Sequence, residues 1–198
     1  MKPGKVEQKR LARRSEIILA ARACFEEKGL HGTTMAFVAE RAGLSVGQLY
    51  RIFESKEEII EVIVAEIISA RVEIMIAYNN DLNEDLNLKA RLLAGAQSRP
   101  DGDKRDDYLL MEVTAESTRN PRLLEILKRA DERLKVEGSK IIRDNHPEFD
   151  EAQVNVISEF VATLTEGTLY RQGIQRDFAY KEEMSSFYKK IFEFIFVK

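Results

Sequence analysis

The sequence predicts an all-α protein built from two helical parts. Apolar residues recur at helical spacing along most of the 198 residues, and alternating stretches typical of strands are missing. Hydrophobic residues make up 44% of the chain, which is ample for a packed core. The charge divides the chain, because residues 1–56 carry a net charge of +5 and residues 57–198 a net charge of −8. A basic first part followed by an acidic remainder favours nucleic acid as a partner of the first part.

Residues 34–56 predict two short helices joined by a tight turn. Val38 and Leu49 then lie on the sides that pack together. Gly43 falls at the turn, where a positive φ favours glycine, and the Ser45 hydroxyl can cap the second helix. This is the helix-turn-helix arrangement, which places one helix in the major groove of DNA. An ordinary αα-hairpin of a helical protein is the alternative that this segment alone leaves open.

The flanking residues extend the motif into a small domain. Apolar residues at helical spacing in 17–25 predict a first helix that ends near Gly29. Ser55 and Glu58 form a capping-box pattern at the start of a long apolar helix, 56–78. The first helix and the two helices of the motif form a compact three-helix DNA-binding unit, and the fourth helix leads out of it.

Further helices are expected in the rest of the chain. Asn120 can cap a helix that has Pro121 in its first turn, and His146-Pro147 interrupts it. The helices expected after the fourth are 88–97, 104–117, 120–144, 150–173 and 181–196. We therefore predict a DNA-binding domain at 1–55, of which 1–9 is a flexible lead-in, and a helical regulatory and dimerisation domain at 56–198.

The stretch from about residue 14 to residue 64 resembles the N-terminal domain of the TetR family of bacterial transcriptional regulators. One position departs from the family pattern, because Ile52 stands where many members have histidine. The resemblance implies a sequence-specific DNA-binding regulator, in most cases a repressor that a small molecule releases from a palindromic operator. The matching positions are Ile18-x-Ala20-Ala21, Phe25, Gly29, Thr33-Thr34, Val38-Ala39, Ala42-Gly43-Leu44-Ser45, Gly47-x-Leu49-Tyr50 and Phe53-x-Ser55-Lys56-Glu57.

The resemblance also implies a DNA-binding site. Thr33 or Thr34 would bind a backbone phosphate, as would Tyr50 and Lys56. Gln48 is the expected base contact, since its amide can pair with N6 and N7 of adenine. The implied DNA-binding residues are Thr33, Thr34, Ser45, Val46, Gly47, Gln48, Tyr50, Arg51 and Lys56.

The last two helices carry more apolar surface than an outer pair of helices needs. In the family, the corresponding helices of two subunits form a four-helix dimer interface, and a purely internal core is the alternative. A two-fold dimer would suit a palindromic operator. The candidate interface residues are Phe160, Val161, Leu164, Thr168, Phe187, Ile191 and Phe194.

A largely hydrophobic small molecule is expected to bind among the C-terminal helices and to move the fourth helix. Control by a protein partner, or without any ligand, is the alternative. The candidate pocket residues mix polar groups with apolar helix faces, and they are Tyr78, Tyr108, Met111, Glu112 and Tyr170.

Enzymatic function is not expected. His31 and His146 are the two histidines, and neither has a second His or a Cys at metal-ligand spacing. The sequence has no P-loop, no dinucleotide-binding glycine pattern and no nucleophile elbow. We expect no cofactor and no metal, and a helical enzyme that keeps a vestigial DNA module is the less favoured alternative.

The N-terminal sequence and the composition predict the cellular compartment. The N-terminus has no signal-peptide arrangement, and no uncharged apolar run of about 20 residues could span a membrane. Cys24 is the single cysteine and cannot form an intramolecular disulfide. These features predict a cytoplasmic protein with no membrane partner.

Overall fold

The computed structural model confirms the all-α class. It describes residues 4–81, 104–174 and 181–196, and the expected helix at 88–97 lies outside these ranges. The expected bounds of two helices, 104–117 and 181–196, agree with the structure. The helices are α1 Lys5–Gly32, α2 Met35–Arg41, α3 Val46–Tyr50, α4 Lys56–Asp81, α5 Lys104–Ser117, α6 Pro121–Asn145, α7 Glu151–Ile174 and α8 Lys181–Phe196.

The chain divides into two compact units. The first contains Met1–Ile67 together with Tyr108–Ala130, and the second contains Ile68–Asp107 together with Asp131–Lys198. The helix-turn-helix and the first part of α4 therefore share a unit with most of α5 and the beginning of α6. The core of this unit includes the fully buried side chains of Ile17, Cys24, Val38, Leu49, Phe53, Ile59, Ile60, Ile63, Val64 and Val113.

Three long-range contacts hold Tyr108–Ala130 in the first unit. A carboxylate oxygen of Glu112 accepts a hydrogen bond from the backbone N–H of Leu30 at 2.8 Å. At the far end of this segment, Arg129 pairs with Glu61 on α4 at 2.7 Å. Asn120, between α5 and α6, donates to a carboxylate oxygen of Glu57 at 3.3 Å. The segment is thus joined to both α1 and α4.

A glycine breaks α1 in its last turn. Gly29 has φ 67° and ψ 173°, a region of backbone space that essentially only glycine enters. The break stands where the sequence predicted the end of the first helix. At its other end α1 begins at Lys5, within the segment 1–9 that we expected to be a flexible lead-in.

Polar side chains begin the later helices as their sequences predict. The side-chain oxygen of Asn120 accepts hydrogen bonds from the N–H groups of Arg122 and Leu123 at the start of α6. The start of α4 differs in one detail from the expected capping box. Ser55 accepts from the N–H of Glu58, but the Glu58 carboxylate accepts from the N–H of Glu54 rather than from that of Ser55.

The second unit contains a cluster formed by α7 and α8. Tyr188 and Phe192 are buried at its centre. The Tyr188 hydroxyl forms a hydrogen bond with the hydroxyl of Thr168 at 3.0 Å, so its polar end is satisfied inside the pair. The partly buried residues packed against this centre are Val161, Leu164, Met184, Ile191 and Phe196.

The described part of the chain has neither a membrane-spanning helix nor a metal-binding cluster. None of its helices has the length and apolar character that crossing a bilayer demands. The same residues contain no group of three or more His, Cys, Asp and Glu placed to hold a metal ion.

Candidate DNA-binding site

The helix-turn-helix is supported by a buried apolar base. Val38 and Ala39 on α2 and Leu49 on α3 are buried. At the turn between the helices, Gly43 has φ 65°, and the N–H of Leu44 donates to the carbonyl of Ala39 at 2.9 Å. The structure therefore confirms the turn and the reason for its glycine, since left-handed backbone is strained for other residues.

A reciprocal capping box begins α3. The Ser45 hydroxyl accepts from the N–H of Gln48 at 3.2 Å, and the Gln48 side-chain oxygen accepts from the N–H of Ser45 at 2.8 Å. The sequence predicted the first of these hydrogen bonds but not the second. The second one fixes the amide of Gln48, because its oxygen is directed at the backbone and its NH₂ group is left as the donor at the exposed end.

Most of the implied DNA-binding residues lie on one exposed surface, which we call the α3 surface. Tyr50 is 50% exposed, so it is not a core aromatic. A Cβ on Gly47 would meet open space, so the packing of the domain does not require glycine here. The missing side chain leaves the backbone open to close approach from outside. Arg51 is exposed and donates to the carbonyl of Gly47 at 3.3 Å. The α3 surface consists of Ser45, Val46, Gly47, Gln48, Tyr50 and Arg51.

The two threonines before α2 have different places. Thr34 is exposed and caps α2 by accepting from the N–H of Phe37 at 3.2 Å. Thr33 is only 1% exposed, and its hydroxyl lies 2.8 Å from the carbonyl oxygen of Gly29 and 3.0 Å from that of Cys24. Of the two alternatives that the resemblance left open, the structure places Thr34 at the surface and the Thr33 hydroxyl inside the domain.

Lys56 also differs from the expected phosphate contact. Its ammonium donates to the carbonyl of Leu30 at 2.6 Å and to that of Thr33 at 3.1 Å. These carbonyls belong to the end of α1 and the segment before α2, where a cation is favourable. In this arrangement the charge of Lys56 joins α4 to α1 rather than pointing to solvent.

Arg14 has a role that sequence reasoning did not find. Its guanidinium lies 4.2 Å from the centre of the Phe53 ring. It also donates to the carbonyl of Ile52 at 3.3 Å and pairs with Glu58 at 3.2 Å. Arg14 therefore ties α1 to the turn between α3 and α4. No local sequence pattern could have revealed partners that lie 38 and 44 positions away.

Some of the basic residues near the motif are exposed. Lys9 and Arg10 on the first turns of α1 are exposed, as is Arg51. Arg41 at the end of α2 pairs with Glu27 at 2.9 Å. The basic character found in the sequence is thus divided between surface charges and internal ties.

The candidate pocket residues are divided between the two units. Tyr108, Met111 and Glu112 lie on α5 in the first unit, whereas Tyr170 lies on α7 in the second. Tyr108 and Tyr170 are exposed and Met111 is half-buried. Glu112 is engaged by the N–H of Leu30. The Tyr78 side chain lies outside what the structure describes.

The candidate interface residues divide into two sets. Val161, Leu164 and Ile191 pack within the α7–α8 cluster, and Thr168 binds Tyr188 there. Phe194 is 89% and Phe187 59% exposed, and Phe160 is 37% exposed. Further exposed apolar side chains on α7 are Val156, Tyr170 and Ile174.

Known proteins share both the sequence of this motif and the fold. A profile of the family described as bacterial regulatory proteins, tetR family, matches residues 17–63, from α1 into α4. Residues 17–63 are thus similar to the DNA-binding region of that family. The HTH-type transcriptional repressor KstR2 of Mycobacterium tuberculosis is 44% identical to it over 50 residues, which is 25% of this chain and 25% of that repressor. The chain thus matches only a quarter of the length of that curated relative.

Solved structures extend the likeness to the C-terminal helices. Salmonella enterica GusR superposes with a TM-score of 0.70 at 22% identity, over 91% of this chain and 95% of GusR. The structure of a complex of SmeT with triclosan superposes with a TM-score of 0.69 at 19% identity, over 94% of this chain and 92% of SmeT. At these identities the chain shares the fold with both proteins.

Proposed function

We propose that the protein is a sequence-specific DNA-binding transcriptional regulator, acting as a repressor on a palindromic operator. The α3 surface carries this proposal, because it presents polar and small residues on a short helix whose opposite side is buried. Thr34 and Tyr50 supply hydroxyl groups suited to phosphates, which fix the orientation of a DNA-binding helix. Gln48 supplies amide donors at the end of α3 that would enter the major groove.

Dimerisation completes the proposal. The exposed apolar side chains of α7 and α8, including Phe160, Phe187 and Phe194, form more apolar surface than a monomer needs to expose. A second copy of the chain would cover this surface through a two-fold interface. Two α3 helices would then face the two halves of a palindrome.

A small-molecule effector is proposed as the signal. SmeT, a protein of the same fold, forms a complex with triclosan. In this chain the ligand would favour a state with reduced affinity for DNA, and the affinity would fall by the ratio of ligand affinities for the two states. Control by a protein partner, or constitutive binding, is the alternative.

Selection of bound fragments from the genome of the source organism tests the proposal. The protein should enrich fragments that share a short palindromic sequence. At micromolar concentration, its molecular mass in solution should be that of a dimer. Enrichment of fragments without a common sequence would argue against sequence-specific regulation. Candidate apolar compounds are then added to the protein–DNA complex. A compound that lowers DNA affinity supports a small-molecule effector, whereas control by a protein partner predicts that none of the compounds changes DNA affinity.

A further inference from the structure

A carboxylate on α5 holds the end of α1. Glu112 accepts a hydrogen bond from the N–H of Leu30 at 2.8 Å, across 82 positions of sequence. The same carboxylate oxygen lies 3.3 Å from the point where a Cβ on Gly29 would stand. This approach therefore depends on glycine at the break of α1.

The backbone of Leu30 is held from two helices at once. Its N–H is bound by Glu112 on α5, and its carbonyl is bound by Lys56 on α4. Lys56 also binds the carbonyl of Thr33, the residue before the N-cap of α2. The entry into α2 is thus fixed by two charged side chains, and α3 packs on α2 through buried residues.

The start of α5 has an anchor of its own. Asp107 pairs with Arg71 on α4 at 2.6 Å, and both side chains are half-buried. Asp107 and Glu112 are about 7.5 Å apart along the helix axis. A displacement of α5 of an ångström or so would therefore break the Glu112 hydrogen bond, because such bonds weaken steeply with distance and misalignment.

We propose that Glu112 is the positioning residue by which α5 holds the helix-turn-helix in its DNA-binding geometry, and that release of Leu30 by Glu112 lowers DNA affinity. This proposal rests on the proposed DNA-binding function and assigns its regulation to one contact. Glu112 is exposed, so water hydrates its carboxylate once the hydrogen bond to Leu30 is broken. By linkage, DNA that binds the held state stabilises the Leu30 contact in return.

The test compares three variants of the full chain. Glu112→Ala removes the acceptor, whereas Glu112→Gln keeps an oxygen that can accept from Leu30. Glu116→Ala is the matched control, because Glu116 is one turn further along α5 and bonds with Arg119. This hydrogen bond lowers the pKa of the Glu116 carboxyl, so the control removes a negative charge from the same helix.

Two measurements are made on each variant at a temperature where circular dichroism shows equal helix content. Amide hydrogen exchange of Leu30 is followed by NMR without DNA, and affinity is measured for a duplex carrying the genome-selected palindrome. We expect Glu112→Ala to speed the exchange and to weaken DNA binding about three- to tenfold. Glu112→Gln should recover part of both effects, and Glu116→Ala should match the wild type.

The result that would overturn the role of Glu112 differs from the result that would overturn the DNA-binding function. Unchanged exchange in Glu112→Ala, or faster exchange with wild-type DNA affinity, would overturn the role of Glu112. Equal losses in Glu116→Ala would do so as well, because they would point to helix charge in general. A wild-type chain that protects the Leu30 amide but binds no genomic duplex would instead overturn the DNA-binding function.

Discussion

The ammonium nitrogen of Lys56 lies 2.6 Å from the carbonyl oxygen of Leu30. This contact joins the first residue of α4 to the last turn of α1, and a second hydrogen bond to Thr33 extends it to the entry of α2. A cation that neutralises carbonyls at a helix end stabilises the domain. We therefore expect Lys56 to contribute mainly to the stability of the domain.

Lys56→Ala should lower the free energy of unfolding by about 1–2 kcal/mol, because half-buried carbonyls lose a charged donor. Urea denaturation measures the loss. Lys9→Ala is the control, since Lys9 is exposed on α1 and its replacement should leave the midpoint unchanged. A normal midpoint for Lys56→Ala, with a reduced salt dependence of DNA binding, would restore the phosphate contact implied by the family resemblance.

Thr33→Val and Thr34→Ala should separate folding from DNA binding. Thr33→Val removes a buried hydroxyl and leaves the carbonyls of Cys24 and Gly29 without their donor, at a cost of about 1–3 kcal/mol in stability. Its DNA affinity should equal that of the wild type wherever the protein is folded. Thr34→Ala should weaken binding to all duplexes alike. Reduced affinity of folded Thr33→Val would contradict this assignment.

Gly29→Ala should destabilise the chain by about 1–3 kcal/mol, since the backbone at this position lies in a region nearly restricted to glycine. The added Cβ would also press on Glu112. Gly47→Ala makes the same change in α3, where a Cβ meets open space, and should leave stability equal or slightly higher. Thermal melting compares the two variants. Equal melting temperatures would mean that Gly29 is not strained in solution.

Gln48→Glu should remove base recognition while it preserves the fold. A carboxylate oxygen can still accept from the N–H of Ser45 in the capping box, but the NH₂ donors are lost and a negative charge faces DNA. With the wild-type amide oriented as found, the base edge that it contacts should present an acceptor to these donors. Binding to all single-base variants of the selected palindrome, measured for both proteins, tests this expectation. Unaltered preferences in Gln48→Glu would remove Gln48 from recognition.

Phe194→Glu should convert a dimer into a monomer. Its ring is 89% exposed in one chain, so a charge there costs the monomer little but would be buried without a partner in a dimer. Val136→Glu places the same charge on another exposed apolar residue, on α6, and should leave the mass unchanged. Analytical ultracentrifugation at micromolar protein measures both. A dimer that survives Phe194→Glu would place the interface elsewhere.

Local sequence patterns predicted much of the fold. Helical periodicity and polar caps gave the bounds of α5 and α8, and Asn120 caps α6 as its sequence predicts. Gly43 has the positive φ that its turn demanded. These features depend on residues within a few positions of one another, which is why one chain suffices to predict them.

The roles of residues in the candidate DNA-binding site were harder to predict from the sequence. Lys56 and Glu112 were expected to bind DNA and a ligand, but their partners lie 23 and 26 positions away for Lys56 and 82 positions away for Glu112. Only the tertiary fold brings such groups together. Sequence patterns identify a polar residue beside a motif, whereas packing decides whether it faces DNA or holds the domain together.

The most direct test of DNA recognition is the ratio of two affinities. Fluorescence anisotropy at 0.15 M salt, roughly the physiological ionic strength, would compare the genome-selected palindrome with a scrambled duplex of equal composition. A specific regulator should bind the palindrome at least about 10³-fold more tightly, and Gln48→Glu should reduce this ratio without changing the melting temperature. A ratio near one for the wild-type chain would contradict sequence-specific DNA binding.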